Sequence, residues 1–164
     1  MDELLDLVNE RDEVIGEVWK SEANSNPKLI HREIAILIQD KKNRLLLQQR
    51  SKNKMIQPGY WAVSCAGHVG KGENPEAAAY RELREELGIE TELKFKNKIL
   101  DRPHNETKFY YCYNGEYNNE NFILQKEEVE KAKFFSKKEY LELEKNEKVT
   151  EKSIEWIREY WGIK

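Results

Sequence analysis

Three glutamates, Glu82, Glu85 and Glu86, lie close together near the end of a predicted helix. At ~100° per residue they share an arc of roughly 100° on the helix surface. Like charges at this spacing destabilise a helix, and carboxylates are unfavourable at its negative C-terminal end. A divalent cation would reverse that cost, because Mg²⁺ takes carboxylate oxygens together with substrate phosphates and water. Charge alone leaves two interpretations open: a metal site or a solvated acidic face.

The helix that presents these glutamates has strong local signals. Asn74 is a favoured N-cap, and Pro75 suits the first helical position. Gly88 suits the position just after the last turn. These signals predict a helix over residues 75–87. An apolar stripe beside the glutamates predicts the side of the helix that packs on the core: Ala79, Leu83 and Leu87.

Residues 67–89 resemble the Nudix box, G-x5-E-x7-R-E-U-x-E-E-x-G-U, where U is aliphatic. Each specified position is matched, by Gly67, Glu73, Arg81, Glu82, Leu83, Glu85, Glu86, Gly88 and Ile89. Nine fixed positions over 23 residues, in a loop that leads into a helix, form a specific signal. By this resemblance the chain is identified as a member of the Nudix family.

The resemblance implies an α/β fold, namely an α/β/α sandwich with a mixed β-sheet, with residues 1–164 forming a single Nudix domain. It also implies hydrolysis of a nucleoside diphosphate linked to another group, or of a related organic diphosphate. The cofactor would be Mg²⁺, or Mn²⁺ in its place, because such ions neutralise a diphosphate and polarise phosphorus. The expected partner is therefore a small-molecule diphosphate substrate.

Family roles carry over by position in the motif. Glu82, Glu85 and Glu86 would be the metal-binding and catalytic carboxylates, and one of them would orient or deprotonate the attacking water. The backbone at Gly67 would supply a carbonyl ligand to the metal. The resemblance therefore implies a site between the helix and the glycine-rich loop that precedes it.

The other motif residues are expected to build this site. Arg81 and Glu73 would form an ion pair that holds the loop against the helix. Gly67 would let the backbone approach the metal and the substrate closely. Gly88 would end the helix.

The sequence before the box narrows the resemblance. Residues 50–68, "RSKNKMIQPGYWAVSCAGH", resemble type I isopentenyl-diphosphate isomerases and the hydrolases closely related to them. The resemblance extends over about residues 5–113. It implies that Arg50 and Lys54 contact the diphosphate, and arginine suits bidentate phosphate binding. A solvated surface charge is the alternative for each of these two residues.

The same resemblance implies a second set of functional residues. His31 and His68 match two metal-ligand histidines of the isomerases. Glu106, in "HNETKF", matches their catalytic and metal-binding glutamate. Ala66, however, stands where the isomerases have their catalytic cysteine. The nearby Cys65 is one residue earlier, and we expect it to point to the other side of its strand as a buried structural residue.

Asn24 stands where a third isomerase histidine is expected. The isomerase set is therefore incomplete, while the Nudix hydrolase set is complete, and the sequence favours hydrolysis. Isopentenyl-diphosphate Delta-isomerase activity is the alternative. A non-catalytic sensor of a nucleotide or diphosphate is a third hypothesis, which the intact carboxylates disfavour.

Composition excludes several other classes of protein. The chain carries 28 Lys and Arg against 31 Asp and Glu, a net charge of −3, which lacks the basic excess of a protein that binds a nucleic-acid polymer. No window approaches the ~20 apolar residues of a membrane span, and the N-terminus lacks the pattern of a signal peptide. Two cysteines without a CxxC spacing fit a reducing, cytoplasmic location. The oligomeric state stays open between monomer and homodimer.

Apolar segments and turn signals predict the scaffold around the site. Residues 31–40 and 43–51 predict a hairpin around the turn "DKKN", and residues 61–69 predict a short strand that leads into the glycine-rich loop. Further strands are predicted in "ETELKFKNKIL" and "KFYYCYNGEY", and helices in "SKKEYLELEKN" and "TEKSIEWIREYWG". The N-terminal "DELLDLVNE" is either a short helix or a strand. Strands and helices mixed in this way predict a mixed sheet flanked by helices.

Overall fold

A computed structural model describes residues 1–164. The strands are β1 (Leu4–Val8), β2 (Val14–Trp19), β3 (His31–Gln39), β4 (Leu45–Arg50), β5 (Trp61–Ala62), β6 (Cys65–His68), β7 (Leu93–Asp101), β8 (Lys108–Glu116) and β9 (Val129–Phe135). The helices are α1 (Lys20–Ala23), α2 (Pro75–Leu87), α3 (Lys137–Asn146) and α4 (Glu151–Trp161). No helix combines the length and the apolar character needed to cross a bilayer.

Seven strands form a mixed central sheet. The order β5-β4-β3-β8-β7 forms its main path, with β6 also paired to β3 and β9 also paired to β4. β3 and β8 run parallel over their full length, while the other pairs are antiparallel. β3 is nearly all apolar in its middle because helices cover both of its faces. β1 and β2 form a separate hairpin, which meets the glycine-rich loop through a bridge between Leu5 and Gly70.

Alternation along β3 divides the apolar core between two faces of the sheet. Ile34, Ile36 and Ile38 pack with α2, and we call this the α2 face. Ala35 and Leu37 pack with α3 and α4, and we call this the α4 face. Helices on both sides of a mixed sheet make an α/β/α sandwich, which confirms the fold class that the sequence predicted.

Local sequence determines α2. The Asn74 side chain accepts hydrogen bonds from the backbone N–H groups of Glu76 at 2.8 Å and Ala77 at 3.4 Å. Gly88 adopts the left-handed conformation at φ 66°, where glycine avoids the steric cost of a Cβ. The helix therefore begins and ends at the predicted residues, and its acidic arc lies where the periodicity places it.

Other elements differ from the sequence predictions. The N-terminal segment forms the hairpin of β1 and β2, so "DELLDLVNE" contains a strand and not a helix. Residues 61–69 form two short strands, β5 and β6, because the chain changes its partner from β4 to β3 between them. Two elements, β9 and the short α1, were not predicted from the sequence. β9 escaped detection because charged residues alternate with its apolar ones, as suits a strand that pairs only with β4.

Candidate active site

The three motif glutamates differ in exposure. The Glu82 side chain is 14% exposed, Glu86 is 6% exposed, and the Glu85 side chain is 51% exposed. The helix thus buries two carboxylates at the edge of the core and leaves the third at the rim. Buried carboxylates are costly unless they are paired or protonated or bind a metal.

Glu86 is buried without a cationic partner. Its Oε2 accepts a hydrogen bond from Gln48 Nε2 at 2.9 Å and another from Cys65 Sγ at 3.4 Å. Burial, followed by the negative charge of Glu82, raises the pKa of Glu86 to about 8. At neutral pH the carboxyl group of Glu86 is therefore largely protonated. A bound cation would favour its ionised form.

Glu82 lies directly against strand β6. A Cβ at Gly67 would lie 2.4 Å from Glu82 Cδ, closer than any real contact allows. Glycine at this position therefore lets the strand approach the carboxylate. Burial raises the pKa of Glu82 to about 7, although Arg81 opposes the shift.

Arg81 binds the other carboxylates of the motif. Its Nε and Nη2 donate to the two oxygens of Glu73 at 2.7 and 2.9 Å, which is the ion pair that the family resemblance implies. Its Nη1 donates to Glu82 at 2.8 Å and to Glu85 at 3.3 Å. These bonds raise the pKa of Arg81 above its ordinary value, Glu73 making the largest contribution. One guanidinium cannot neutralise three carboxylates, so the cluster remains net negative.

The donor set suits a hard divalent cation. Carboxylate oxygens are the ligands that Mg²⁺ and Mn²⁺ prefer, and the cluster has negative charge to spare. The thiol of Cys65 is the only soft group at Glu86, and burial raises the pKa of that thiol well above its usual range. The residues present therefore fit Mg²⁺ or Mn²⁺.

The two expected diphosphate contacts are engaged within the protein. Arg50 Nε and Nη2 donate to the carbonyl of Ile56 at 3.2 and 2.9 Å, which closes the loop after β4. Lys54 forms an ion pair with Glu128. Glu128 also contributes to the raised pKa of Glu86, so Lys54 and Glu128 lie near the buried carboxylates. A diphosphate would compete with Glu128 for Lys54.

A second polar cluster lies on the α4 face, on the opposite side of β6. It consists of five residues, which we call the histidine–lysine cluster: His31, Glu33, His68, Glu106 and Lys108. The rings of His31 and His68 stack at 5.2 Å between centroids. Lys108 Nζ lies 3.0 Å from Glu33 Oε1 and 3.0 Å from Glu106 Oε2.

Charges within the histidine–lysine cluster are paired. Burial lowers the pKa of His68 to about 3, so the ring is neutral. Burial alone would raise the pKa of Glu33, but Lys108 and the histidines hold it well below its usual range. Burial would likewise lower the pKa of Lys108, but Glu33 and Glu106 raise it. The ammonium of Lys108 therefore lies between the carboxyl groups of Glu33 and Glu106.

The structure brings together only part of the predicted site. Gly67 lies beside Glu82, but the His68 ring and Glu106 lie in the histidine–lysine cluster on the opposite side of β6. His104, from the same "HNETKF" segment, is exposed.

The two residues before Gly67 point to opposite faces of the sheet. Ala66, at the position of the isomerase cysteine, packs towards the α4 face. Cys65 is fully buried on the α2 face, as predicted. Alternation along β6 is the reason, since no bulge interrupts its pairing with β3.

Sequence reasoning missed four residues of the two clusters: Glu33, Gln48, Lys108 and Glu128. Gln48 had a usable signal, because a glutamine at an inward-facing position of the apolar strand "LLLQQR" needs a buried partner. Lys108 and Glu33 have the analogous signal of a charge in an otherwise apolar strand. Glu128 lies in a run of exposed charges and has no such signal.

Comparison with known proteins identifies the family. Residues 29–157 match the NUDIX domain family, which is most of the chain. The chain belongs to the Nudix family. The chain is also 35% identical over 144 residues to a Nudix hydrolase of Listeria monocytogenes, an alignment that covers 82% of this chain and 80% of the relative.

Isopentenyl-diphosphate Delta-isomerases are also similar to this Nudix protein. The enzyme from Streptomyces avermitilis is 43% identical over 90 residues, which cover 55% of this chain and 46% of that enzyme. The enzyme from Serratia proteamaculans is 45% identical over 94 residues, which cover 57% of this chain and 52% of that enzyme. The chain thus spans about half the length of the isomerases that it matches. These findings confirm the isomerase-like branch.

Solved structures share the fold. A crystal structure from Deinococcus radiodurans superposes with a TM-score of 0.83 over 97% of this chain and 99% of that chain, at 24% identity. The NUDIX domain of Shewanella oneidensis NrtR, crystallised with ADP ribose, has a TM-score of 0.67 at 16% identity and covers 85% of this chain and 94% of its own. At these identities the similarity establishes the Nudix fold alone.

Proposed function

We propose that this Nudix protein is a Mg²⁺-dependent hydrolase that cleaves the diphosphate linkage of a nucleoside diphosphate derivative or a related organic diphosphate. The observation that carries the proposal is the pair of buried carboxylates, Glu82 and Glu86, for which the protein itself supplies too little positive charge. An acidic pair of this kind is unfavourable in a helix whose function is only structural.

The carboxylates would hold the metal through their oxygens. Glu82 and Glu86 would bind it from the buried side, and Glu85 from the exposed rim. Bound Mg²⁺ would neutralise the diphosphate and polarise its phosphorus. Gly67 would let the strand lie close to the metal site, and Arg81 would keep Glu82 and Glu85 in position.

The protein's own groups would complete the reaction. Arg50, at the end of β4, and Lys54, in the loop after it, would hold the phosphate that lies farther from the metal. Such positioning supplies most of the catalysis of phosphoryl transfer. One of the three glutamates of α2 would orient the attacking water or take its proton. Water would add to one phosphorus, and the other phosphate would leave with its substituent.

The test is metal-dependent turnover over a panel of nucleoside diphosphate derivatives and prenyl diphosphates, with and without Mg²⁺. The wild type is compared with Glu86→Gln, and Glu76→Gln on the same helix is the matched control, because Glu76 is exposed at the opposite end. We expect turnover of at least one substrate, lost by at least about 100-fold in Glu86→Gln and retained in Glu76→Gln. Full metal-dependent activity in Glu86→Gln would refute the assignment.

Isomerase activity is the second candidate, because the isomerases match this chain at 41–45% identity over 85–94 residues in most of the comparisons. Glu106 would act in this alternative. Ala66 at the cysteine position argues against it, since an alanine cannot exchange a proton. Exchange of solvent deuterium into isopentenyl diphosphate distinguishes the two: exchange without phosphate release would favour the isomerase, and its absence would exclude it.

A further inference from the structure

The histidine–lysine cluster contains the residues that the isomerase resemblance assigns to a metal. The donor atoms of His31, Glu33 and His68 lie within 4.8 Å of one another, which is close enough for a shared ion. His31 is fully buried, and neither of its ring nitrogens has a hydrogen-bond partner. Geometry alone would therefore allow a metal, and the charges of the cluster decide whether one fits.

Lys108 already supplies the positive charge of this cluster. Its Nζ lies 3.0 Å from both Glu33 Oε1 and Glu106 Oε2. These oxygens are also the ones that approach His31 Nε2, at 3.6 and 3.7 Å. A metal bound to either oxygen at ordinary distances would lie within about 5 Å of the ammonium. The dication and the ammonium would repel each other at that separation in a buried site.

The lysine side chain is held in place. Lys108 is only 7% exposed, and it is paired across β3 and β8 with His31. Its ammonium also lies over the ring of Tyr110, 5.1 Å from the centroid. Two carboxyl groups and an aromatic ring therefore hold the ammonium in a mostly buried position.

His68 is also unsuited to bind a metal in this arrangement. Its Nε2 lies 3.2 Å from Glu33 Oε1 and 3.1 Å from Asn24 Oδ1. Both neighbours are oxygens, so this arrangement favours the tautomer in which Nε2 carries the proton. A metal at Nε2 would have to displace this proton together with the contacts to Glu33 and Asn24. Asn24, where a third histidine was expected, contributes to this arrangement.

We propose that the Lys108 ammonium takes the place of a metal in this cluster, holding Glu33 and Glu106 together and excluding divalent ions. The protein then binds divalent cations at the α2 carboxylates only. His31, His68 and Glu106 of the isomerase-like metal site are present, but together with Glu33 and Lys108 they form an ion-paired polar core.

The test counts bound Co²⁺, used alone as the probe, by equilibrium dialysis and by its visible absorption, which reports histidine ligands. The wild type and His68→Gln should bind equal amounts of Co²⁺ without a histidine-type spectrum. Lys108→Met should bind one additional equivalent with such a spectrum, and Lys108→Met/His68→Gln should lose it. Lys94→Met, on the exposed side of β7, is the matched control and should bind as the wild type does.

Two results would overturn the proposal. The first is a Co²⁺ equivalent in the wild type that His68→Gln removes, because the cluster would then bind metal despite Lys108. The second is a folded Lys108→Met protein that gains no equivalent. If Lys108→Met does not fold, the comparison of wild type with His68→Gln still decides whether the cluster binds a metal. Turnover at the α2 carboxylates plays no part in either measurement.

Discussion

Metal binding at the α2 carboxylates should release protons. In the metal-free protein, burial raises the pKa of Glu82 to about 7 and that of Glu86 to about 8. A metal binds the carboxylate and not the carboxylic acid, so each group that is protonated beforehand must lose its proton on binding. Affinity for Mg²⁺ should therefore rise with pH through the range of these two pKa values.

The size of the effect follows from the two pKa values. At pH 7 the pair holds about 1.4 protons, so binding should release about that number. Between pH 6 and pH 9 the apparent Mg²⁺ affinity should rise roughly 1,000-fold, or about 4 kcal/mol. In Glu86→Gln only Glu82 titrates. Proton release at pH 7 should then fall to about 0.5, and the apparent Mg²⁺ affinity should rise only roughly 10-fold between pH 6 and pH 9.

The assay is isothermal titration calorimetry of Mg²⁺ into the protein at pH 7, in two buffers of different protonation enthalpy. The dependence of the observed heat on buffer enthalpy gives the number of protons released. Affinities at pH 6 and pH 9 give the second, independent estimate. Glu76→Gln is the control and should behave as the wild type does. A heat that is the same in both buffers, or an affinity that is flat between pH 6 and pH 9, would refute the reasoning.

The same pKa shifts have a consequence for stability. Because both pKa values are raised above the usual 4.5, these two groups hold more protons in the folded protein than in the unfolded chain between about pH 4.5 and pH 8. The metal-free protein should therefore become less stable as pH rises through that window. Saturating Mg²⁺ should reduce or remove this loss, which thermal unfolding at several pH values would measure.

Two further substitutions test the geometry of the site. Gly67→Ala would bring a Cβ to 2.4 Å from Glu82 Cδ, so we expect about 1–3 kcal/mol of destabilisation and at least a 10-fold loss of Mg²⁺ affinity. Gly162→Ala, which meets no neighbour but has a φ of 62°, should cost about 1 kcal/mol and leave Mg²⁺ affinity unchanged. Gln48→Leu removes a hydrogen bond that lowers the pKa of Glu86, so Mg²⁺ affinity at pH 7 should fall and recover at pH 9. A loss of affinity that is equal at both pH values would contradict this role for Gln48.

Sequence alone determined the features that depend on near neighbours. The bounds of α2 follow from Asn74, Pro75 and Gly88, because caps and breakers act within one turn. The shared arc of the glutamates follows from helical periodicity. The opposite orientations of Cys65 and Ala66 follow from alternation along a strand. Each of these features depends on contacts or geometry within a few residues, so the sequence alone is enough to predict it.

Only the tertiary structure decided which groups meet across the sheet. Gln48 and Glu86 are 38 residues apart in sequence, and Glu33 and Lys108 are 75 residues apart, yet each pair forms a buried hydrogen bond. The pairing of β3 with β8 creates the contact between Glu33 and Lys108, and the packing of α2 on the face of the sheet that includes β4 creates the contact between Gln48 and Glu86. No local pattern encodes which elements meet in this way. Alternation along β6 separates the Nudix carboxylates from the ring of His68, which lies on the other side of that strand. Adjacent residues of a strand point to opposite faces, so two neighbouring positions of one motif serve two different clusters.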